Sequence, residues 1–501
     1  MMGALKNHRD ERVSVSVEEL VPQDHFLRAI EATISFDFIE EKLRPYYCEN
    51  NGRPSIHPIV LFKMMFIGYF YGIRSERQLE KEIKTNIAYR WFLGFSLSDT
   101  IPDHSTISWN RRTRFIHTNI FEEIFDEIVR QATEHRMVGG RALMTDSTHI
   151  KANANKNKFV HKYKKEKAKF YIDELEAAVI EDRKVHGKKE LKPRKDSDTP
   201  TKKTRISTTD PDSGFLMRDG KPNGFHFLDH RTTDAKYNII TDTYVTAGNM
   251  ADSEPYLARL QAQIDKFDFK VEAVALDAGY FTGYICKKLS ERNIFMVMGY
   301  RRFGKRNKEV PKSQFKYVEE MNAFACPMGC ILEYATTDRE GYRQYKSNLE
   351  DCAVCPLREV CFSKKQKQKV ITHHIWEKYK DIARKNKLTA TGKKLYKVRC
   401  STIERSFADA KQLHGYRYAR FRGLKSVQMQ AYLTAACQNM KKIALHLTKK
   451  GLVEGYFSKF YYFMLFLFAK IKKDSRVLGT LKGFPTLWKI ALHKESDFFY
   501  S

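Results

Sequence analysis

Cysteine is scarce: nine in 501 residues, too few to staple a chain of this length, which excludes a disulfide scaffold. Residues 1–20, MMGALKNHRDERVSVSVEEL, lack the basic and apolar regions of a signal peptide. The expectation is a cytoplasmic, reducing setting, in which clustered cysteines are read as metal ligands. No uninterrupted apolar run reaches the ~20 residues that span a bilayer. The nearest candidate, Phe457 to Ala469, falls short, and a packed or self-associating helix is expected there with no membrane partner.

Negative charge is the other shortage. Against 60 Asp+Glu stand 89 Lys+Arg, a net charge of +29, with the basic residues spread along the chain. A polyanion is the expected partner; the alternative is a basic soluble protein that binds nothing. With 42% hydrophobic residues the chain can bury a core in two or three domains, and disorder is not expected.

Periodicity divides the chain. From about 20 to 130 it is helical: the apolar run Ile59 to Phe70 is too long for a typical strand, Leu79, Ile83, Ile87 and Trp91 recur every fourth residue, and Pro58 and Pro102 read as helix boundaries. Basic positions there (Arg74, Arg77, Lys81, Lys84, Arg90, Arg111, Arg112, Arg114) suit a helix-turn-helix-like module; the alternative is an ordinary helical bundle. After Gly139-Gly140 strands begin with Ala142 to Thr148. A lysine-rich helical stretch from Lys156 to about Lys189 follows, ending in a polar surface loop, 192–201. Strands over 224–231 and 237–246 are expected to face each other across the loop 232–236, with a buried strand at Val271–Leu276 and a helix over 280–292. A cysteine-rich segment (326–361) and a long helical stretch from about 401 to 447 complete the pattern.

Three carboxylates stand out. Asp146 ends an apolar strand and so does Asp277, in Val274-Ala275-Leu276-Asp277; crevices outside strand carboxyl ends are where open α/β sheets bind ligands. Taken singly, each also reads as a turn or helix N-cap residue. The third is Glu404, in a helical segment where Lys411, seven positions on, returns to nearly the same face about 10 Å further along. Ser401-x-x-Glu404 also fits a capping box, in which the glutamate satisfies a helix start. Hard oxygen donors of this kind suit Mg²⁺, and two ions about 4 Å apart stabilise both the attacking and the leaving oxygen of phosphoryl transfer.

Thr145–Lys158 (TDSTHIKANANKNK), Ala275–Tyr280 (ALDAGY) and Arg399–Lys411 resemble the three catalytic blocks of DDE insertion-sequence transposases with an RNase H-like core. The third is similar to that family's Tyr-Arg-Glu-Lys signature, with four residues between Arg399 and Glu404 where three are usual, and is followed by Arg420-Phe421-Arg422-Gly423. Gly52–His57, Arg77–Glu80 and Pro102–Ser108 are similar to the family's helical N-terminal domain. The resemblance covers roughly residues 20–447.

It implies an α/β fold: an RNase H-like mixed sheet flanked by helices, with an all-α N-terminal domain and a Cys-rich insertion. The domains would be a helical DNA-binding part (1–135), the first part of the catalytic core (136–320) with a basic helical insertion at 156–205, the Cys-rich insertion (321–370), the last part of the core with its Glu-bearing helix (371–450), and an aromatic-rich tail (451–501). It also implies Asp146, Asp277 and Glu404 as catalytic ligands of Mg²⁺ or Mn²⁺. The DNA contacts would be Tyr396, Arg399, Lys411, Lys151, Arg420 and Arg422. The resemblance further implies that water would attack first and that a freed 3′-hydroxyl would then attack target DNA. The partners implied are double-stranded DNA, as element ends and target, and a second copy in the DNA complex.

Cys326, Cys330, Cys352, Cys355 and Cys361 supply five thiols, and Cys352-x-x-Cys355 has the spacing that orients two sulfurs on one zinc ion. One structural Zn²⁺ is expected; the spacing does not select which four bind, and buried free thiols are the alternative. Two other functions fit the sequence: a metal-dependent endonuclease that does not join strands, and a zinc-containing DNA-binding protein without catalysis.

Overall fold

The computed structural model describes residues 12–48, 50–52, 55–165, 171–192, 201–217, 223–300, 310–363, 366–449 and 451. The expected apolar helix at 457–469, and the tail beyond 451, lie outside the described residues. The described residues fall into two compact units, one from those within Met1–Ser35, Asn86–Asp99 and Ile443–Ser501, the other from those within Phe36–Thr85 and Thr100–Lys442. Residue 135 is therefore no boundary between units. Most of the N-terminal helices belong with the sheet, because the Ile120–Glu134 helix turns nine buried residues inward and sets Phe125 against Tyr432, ring centroids 5.7 Å apart.

The first unit holds helices Val17–Leu20, Phe26–Thr33 and Ile87–Leu93. A capping box starts it: Ser16 Oγ accepts from the Glu19 N–H and the Glu19 carboxylate accepts from the Ser16 N–H. Glu18 then accepts from the Trp91 indole at 2.5 Å, and the Arg28 guanidinium lies 4.5 Å from the Trp91 ring centroid. The four-residue recurrence Leu79 to Trp91 is split between two helices at Asn86, whose side chain caps the second.

In the second unit the Pro58–Phe70 helix begins with proline at its first position and is buried from Leu61 to Phe70. The strands follow in chain order: β1 Ala142–Lys151, β2 Phe159–Lys165, β3 Thr201–Ser207, β4 Gly214–Leu216, β5 Gly224–Asp234, β6 Ile240–Ala247, β7 Ala273–Leu276, β8 Phe295–Met298, β9 Lys316–Val318, β10 Ala323–Ala325, β11 Ile331–Thr337, β12 Tyr342–Ser347 and β13 Val370–His374. The principal sheet is mixed. β1 is antiparallel to β5 and parallel to β7, β8 extends it in parallel on one side, and β4 and β6 pair with β5 on the other.

Three sequence expectations change. The 156–205 segment, expected to be helical, is a strand, a helix (Ile172–Val185) and a strand, with β2 and β3 forming an antiparallel ribbon; the rings of Phe159, His161 and Tyr163 recur at every second residue, the period of a strand. The β5–β6 connection lies at 235–239, three residues later than expected, since pairing runs on to Thr233↔Ile240. The long C-terminal helix is two helices, Ala390–Leu413 and Leu424–Lys449, interrupted where Gly415 adopts φ +66°.

The cysteine-rich region forms a separate five-stranded antiparallel sheet, β13-β12-β11-β10-β9. Its core takes one large side chain from each of four strands, Phe324 of β10, Leu332 of β11, Tyr345 of β12 and Ile371 of β13, joined by Phe315 just before β9.

Candidate active site

Alternation along the strands decides where the first two acids point. Met144 and Ala275 are fully buried against Ile403 and Phe407 of the Ala390–Leu413 helix. Side chains two apart on a strand share a face, so Asp146 and Asp277 emerge on that same face, toward the same helix. Register supplies their adjacency: β1 and β7 pair up to Thr145↔Leu276, and the next residue on each strand is the aspartate. Asp146 does not end its strand, because β1 continues to Lys151 against β5; it sits where β1 and β7 part.

The helix brings Arg399 and Glu404 over that fork. Arg399 Nη2 donates to Asp146 Oδ2 at 2.6 Å and lies 3.7 Å from Asp277 Oδ1, while Nη1 is 3.5 Å from Glu404 Oε1. One guanidinium thus faces all three acids. Side-chain exposure rises from 3% for Arg399 through 19% for Asp146 to 47% for Asp277 and 56% for Glu404, so the cluster opens from a buried cation toward solvent. Burial pushes the Asp146 carboxyl up to about 6, opposed first by the Arg399 charge.

Neither alternative role for Asp277 or Glu404 is taken up. Asp277 occupies an N-cap position without a side-chain capping bond. Glu404 lies mid-helix, where the cap is Thr389 and the Ser401 hydroxyl donates to the Val398 carbonyl.

Several expected DNA contacts turn inward. Arg399 faces the acids. Lys411 Nζ donates to Thr148 Oγ1 at 2.5 Å. Arg420 donates to the Gly68 and His414 carbonyls and stacks 3.9 Å from the Tyr69 centroid. Tyr396 is half-buried with Lys387 over its ring. Lys151 and Arg422 are exposed, the latter anchored by its Nε to the Asn153 carbonyl at 3.0 Å. Among the N-terminal basic residues, Arg90 and Arg111 are buried, on the Ser96 carbonyl and on Glu76 respectively. Exposed basic residues also mark the ribbon, where Lys162 and Lys203 stand in strands without a single acid; Arg205 fixes its base between the rings of Phe159 and Phe215.

The five cysteines line one cavity with Asp351, Met328 and Lys369. Gly329, at φ +85°, closes the Cys326–Cys330 turn, and burial, then the neighbouring Cys326, pushes the Cys330 thiol up. Among the described residues, ligand atoms of three candidate groups come within 4.8 Å of one another only at Glu80, Asp103 and His104. That cluster is a structural staple. Glu80 accepts from the His104 N–H, from His104 Nδ1 and from Lys84, and Arg77 Nε donates to His104 Nε2. Since arginine only donates, His104 Nε2 is the acceptor and has no lone pair left for a metal.

Residues 15–113 match the family model described as Transposase domain (DUF772), and residues 325–444 match the one described as Transposase DDE domain. Two segments of the chain are thus similar to transposase domains, one of them of the DDE type. The transposase DDE domain match takes in Glu404, Lys411 and all five cysteines of the cavity, whereas Asp146 and Asp277 fall outside both matched segments. The Transposase domain match contains the Arg77–Glu80 and Pro102–Ser108 motifs that the Glu80–His104 staple holds together. No curated protein matches the chain. Among solved structures it is similar to piggyBac transposase in a synaptic complex with hairpin DNA, at 11% identity, with 91% of this chain and 87% of that chain covered and a TM-score of 0.26. No helix of the described residues is long and apolar enough to cross a membrane.

Two more polar residues meet at the site, Ser147 from within the Thr145–Lys158 block and Asp252 from outside every block. Ser147 follows Asp146 and gives its N–H to Asp146 Oδ1 at 2.8 Å, and Asp252, in the turn after β6, accepts from Ser147 Oγ at 2.5 Å.

Proposed function

We propose that this transposase-like chain cleaves DNA strands and transfers them to target DNA, as the transposase of an insertion sequence. The observation that carries the reading is the convergence of Asp146, Asp277 and Glu404 on a single cationic group. The sheet order, three antiparallel strands (β6, β5, β1) continued by two parallel ones (β7, β8), supports an RNase H-like reading of the core.

Asp146, Asp277 and Glu404 supply the hard oxygen donors that Mg²⁺ or Mn²⁺ takes and would hold such an ion, although with Arg399 among them their oxygens do not all lie within 4.8 Å of one another. When bound, the ion supplies Lewis acidity and neutralises charge on a phosphodiester. Arg399 holds the Asp146 carboxylate in place, and the buried contacts of Ile403 and Phe407 fix the helix that carries Glu404. Lys151, Arg422 and the ribbon lysines would meet the DNA backbone, whose phosphates account for most non-specific affinity. The thiol-lined cavity offers a soft donor set suited to one structural Zn²⁺; elemental analysis of chelator-free protein checks it, and much less than one zinc per chain removes it.

The test is incubation of the full chain with Mg²⁺ and a DNA fragment carrying its gene together with the native flanking DNA. Joined products are expected. Cut products alone would make it an endonuclease, and bound but intact DNA a binding protein. Asp146→Ala, Asp277→Ala and Glu404→Gln are each expected to bind DNA and leave it uncut; full cleavage by any of them overturns the assignment.

A further inference from the structure

Asp252 lies outside every motif discussed so far, yet it reaches both arms of the acidic fork. Its Oδ1 accepts from Ser147 Oγ at 2.5 Å, and the Ser147 N–H donates to Asp146 Oδ1 at 2.8 Å. On the other side it presses on Gly279, two residues beyond Asp277. A Cβ at Gly279 would lie 2.7 Å from Asp252 Oδ2 and 3.4 Å from both its Cβ and Cγ, so glycine is what lets the two segments approach. The turn carrying Asp252 is itself fixed. Met250 N–H donates to the Ala247 carbonyl and Glu254 N–H to the Ala251 carbonyl, and a Cβ on Gly248 would meet the His226 carbonyl oxygen at 2.5 Å. Since Oδ1 is bonded to Ser147 and the rest of the side chain abuts Gly279, Asp252 cannot shift from one without disturbing the other.

We propose that Asp252 is a positioning residue of the strand-cleavage reaction, acting through Ser147 on the Asp146 carboxylate and through its packing on Gly279 on the backbone that presents Asp277. The inference rests on the reading of Asp146 and Asp277 as cation-holding acids. Hydrogen-bonded partners of this kind orient ligating side chains, and their loss lowers metal affinity or activity about 10–100-fold.

In the full chain, Asp252→Ala is expected to lower both the cleavage rate and the affinity for Mn²⁺, read from the free-ion electron paramagnetic resonance signal, by about 10–100-fold, with DNA affinity unchanged. Asp252→Asn, whose amide oxygen still accepts from Ser147, should recover most of the loss. Ser147→Ala, which removes the bond but leaves the packing on Gly279, should show part of the loss, and the double variant should be no worse than Asp252→Ala, which already removes both. Wild-type behaviour of Asp252→Ala, failure of the asparagine to rescue, or multiplying effects in the double variant each overturn the proposal. Should Asp252→Ala not fold, Ser147→Ala and the rescue by Asp252→Asn carry the test. Asp146→Ala in the same assay separates the two levels: if it cleaves DNA the catalytic reading fails, and if it is inert while Asp252→Ala is normal only the role of Asp252 fails.

Discussion

Arg399 donates to Asp146 at 2.6 Å from a position that is itself almost fully buried. The positive charge beneath the acidic fork therefore belongs to the protein, and it occupies the ground a metal ion would share. Arg399→Gln is expected to lose about 1.5–3 kcal/mol in metal-free buffer, the worth of a hydrogen bond to a charged group. Added Mn²⁺ should raise the variant's melting temperature more than the wild type's, because ligand binding to the folded state stabilises it. Equal increments in the two proteins would show that metal and guanidinium do not compete.

Ile403 precedes Glu404 and is fully buried with Met144 and Ala275. Ile403→Ala should destabilise the protein by about 2–5 kcal/mol through the cavity it leaves, seen as a lower urea midpoint. It should also cut cleavage more than DNA binding, since the helix loses its seat on the strands that carry the aspartates. A variant of normal stability would contradict the packing described.

Burial makes His230 one source of acid sensitivity. Burial lowers His230 to about 4, below the unfolded value near 6.5. The unfolded chain therefore takes up this proton first as pH falls, and the stability due to neutral His230 is full above about 6.5 and is lost toward pH 4, at about 1.4 kcal/mol per unit. Asp146, raised to about 6, changes in the opposite sense, so comparison with a variant isolates the histidine. His230→Gln should lose less stability than wild type between pH 6.5 and 4.5 in urea titrations; identical slopes would refute the assignment.

Lys162 and Lys203 project from the β2–β3 ribbon. If each meets a phosphate, Lys162→Ala and Lys203→Ala each reduce the slope of log affinity against log salt by about 0.9. Unchanged slopes would place the DNA elsewhere.

The acids were legible because strand and helix periods are local. Met144-Thr145-Asp146 and Ala275-Leu276-Asp277 repeat one pattern, and Glu404 lies beside an apolar pair four residues apart, Ile403 and Phe407. The direction of Arg399 was not legible, since a basic residue on a helix reads the same whether it meets phosphate or carboxylate. Lysine favours helices, so the ribbon read as helical although Phe159, His161 and Tyr163 alternate. The β9–β13 sheet was missed because its core draws residues from Phe315 to Ile371, contacts too distant to leave a periodic trace. Asp252 has no pattern at all: only the folded turn brings it to Ser147.

The β9–β13 sheet lies in the chain between Asp277 and Glu404, which orders events at the ribosome. Domains generally fold as they emerge, so a growing chain exposes two acids long before the third, and must thread out the whole cysteine-bearing module before the set is complete. A product broken off within that module would keep the Asp146 and Asp277 pair yet lack Glu404. On the proposed reading, synthesis past Glu404 thereby becomes a condition for cutting, and a chain broken off within the module would leave DNA intact.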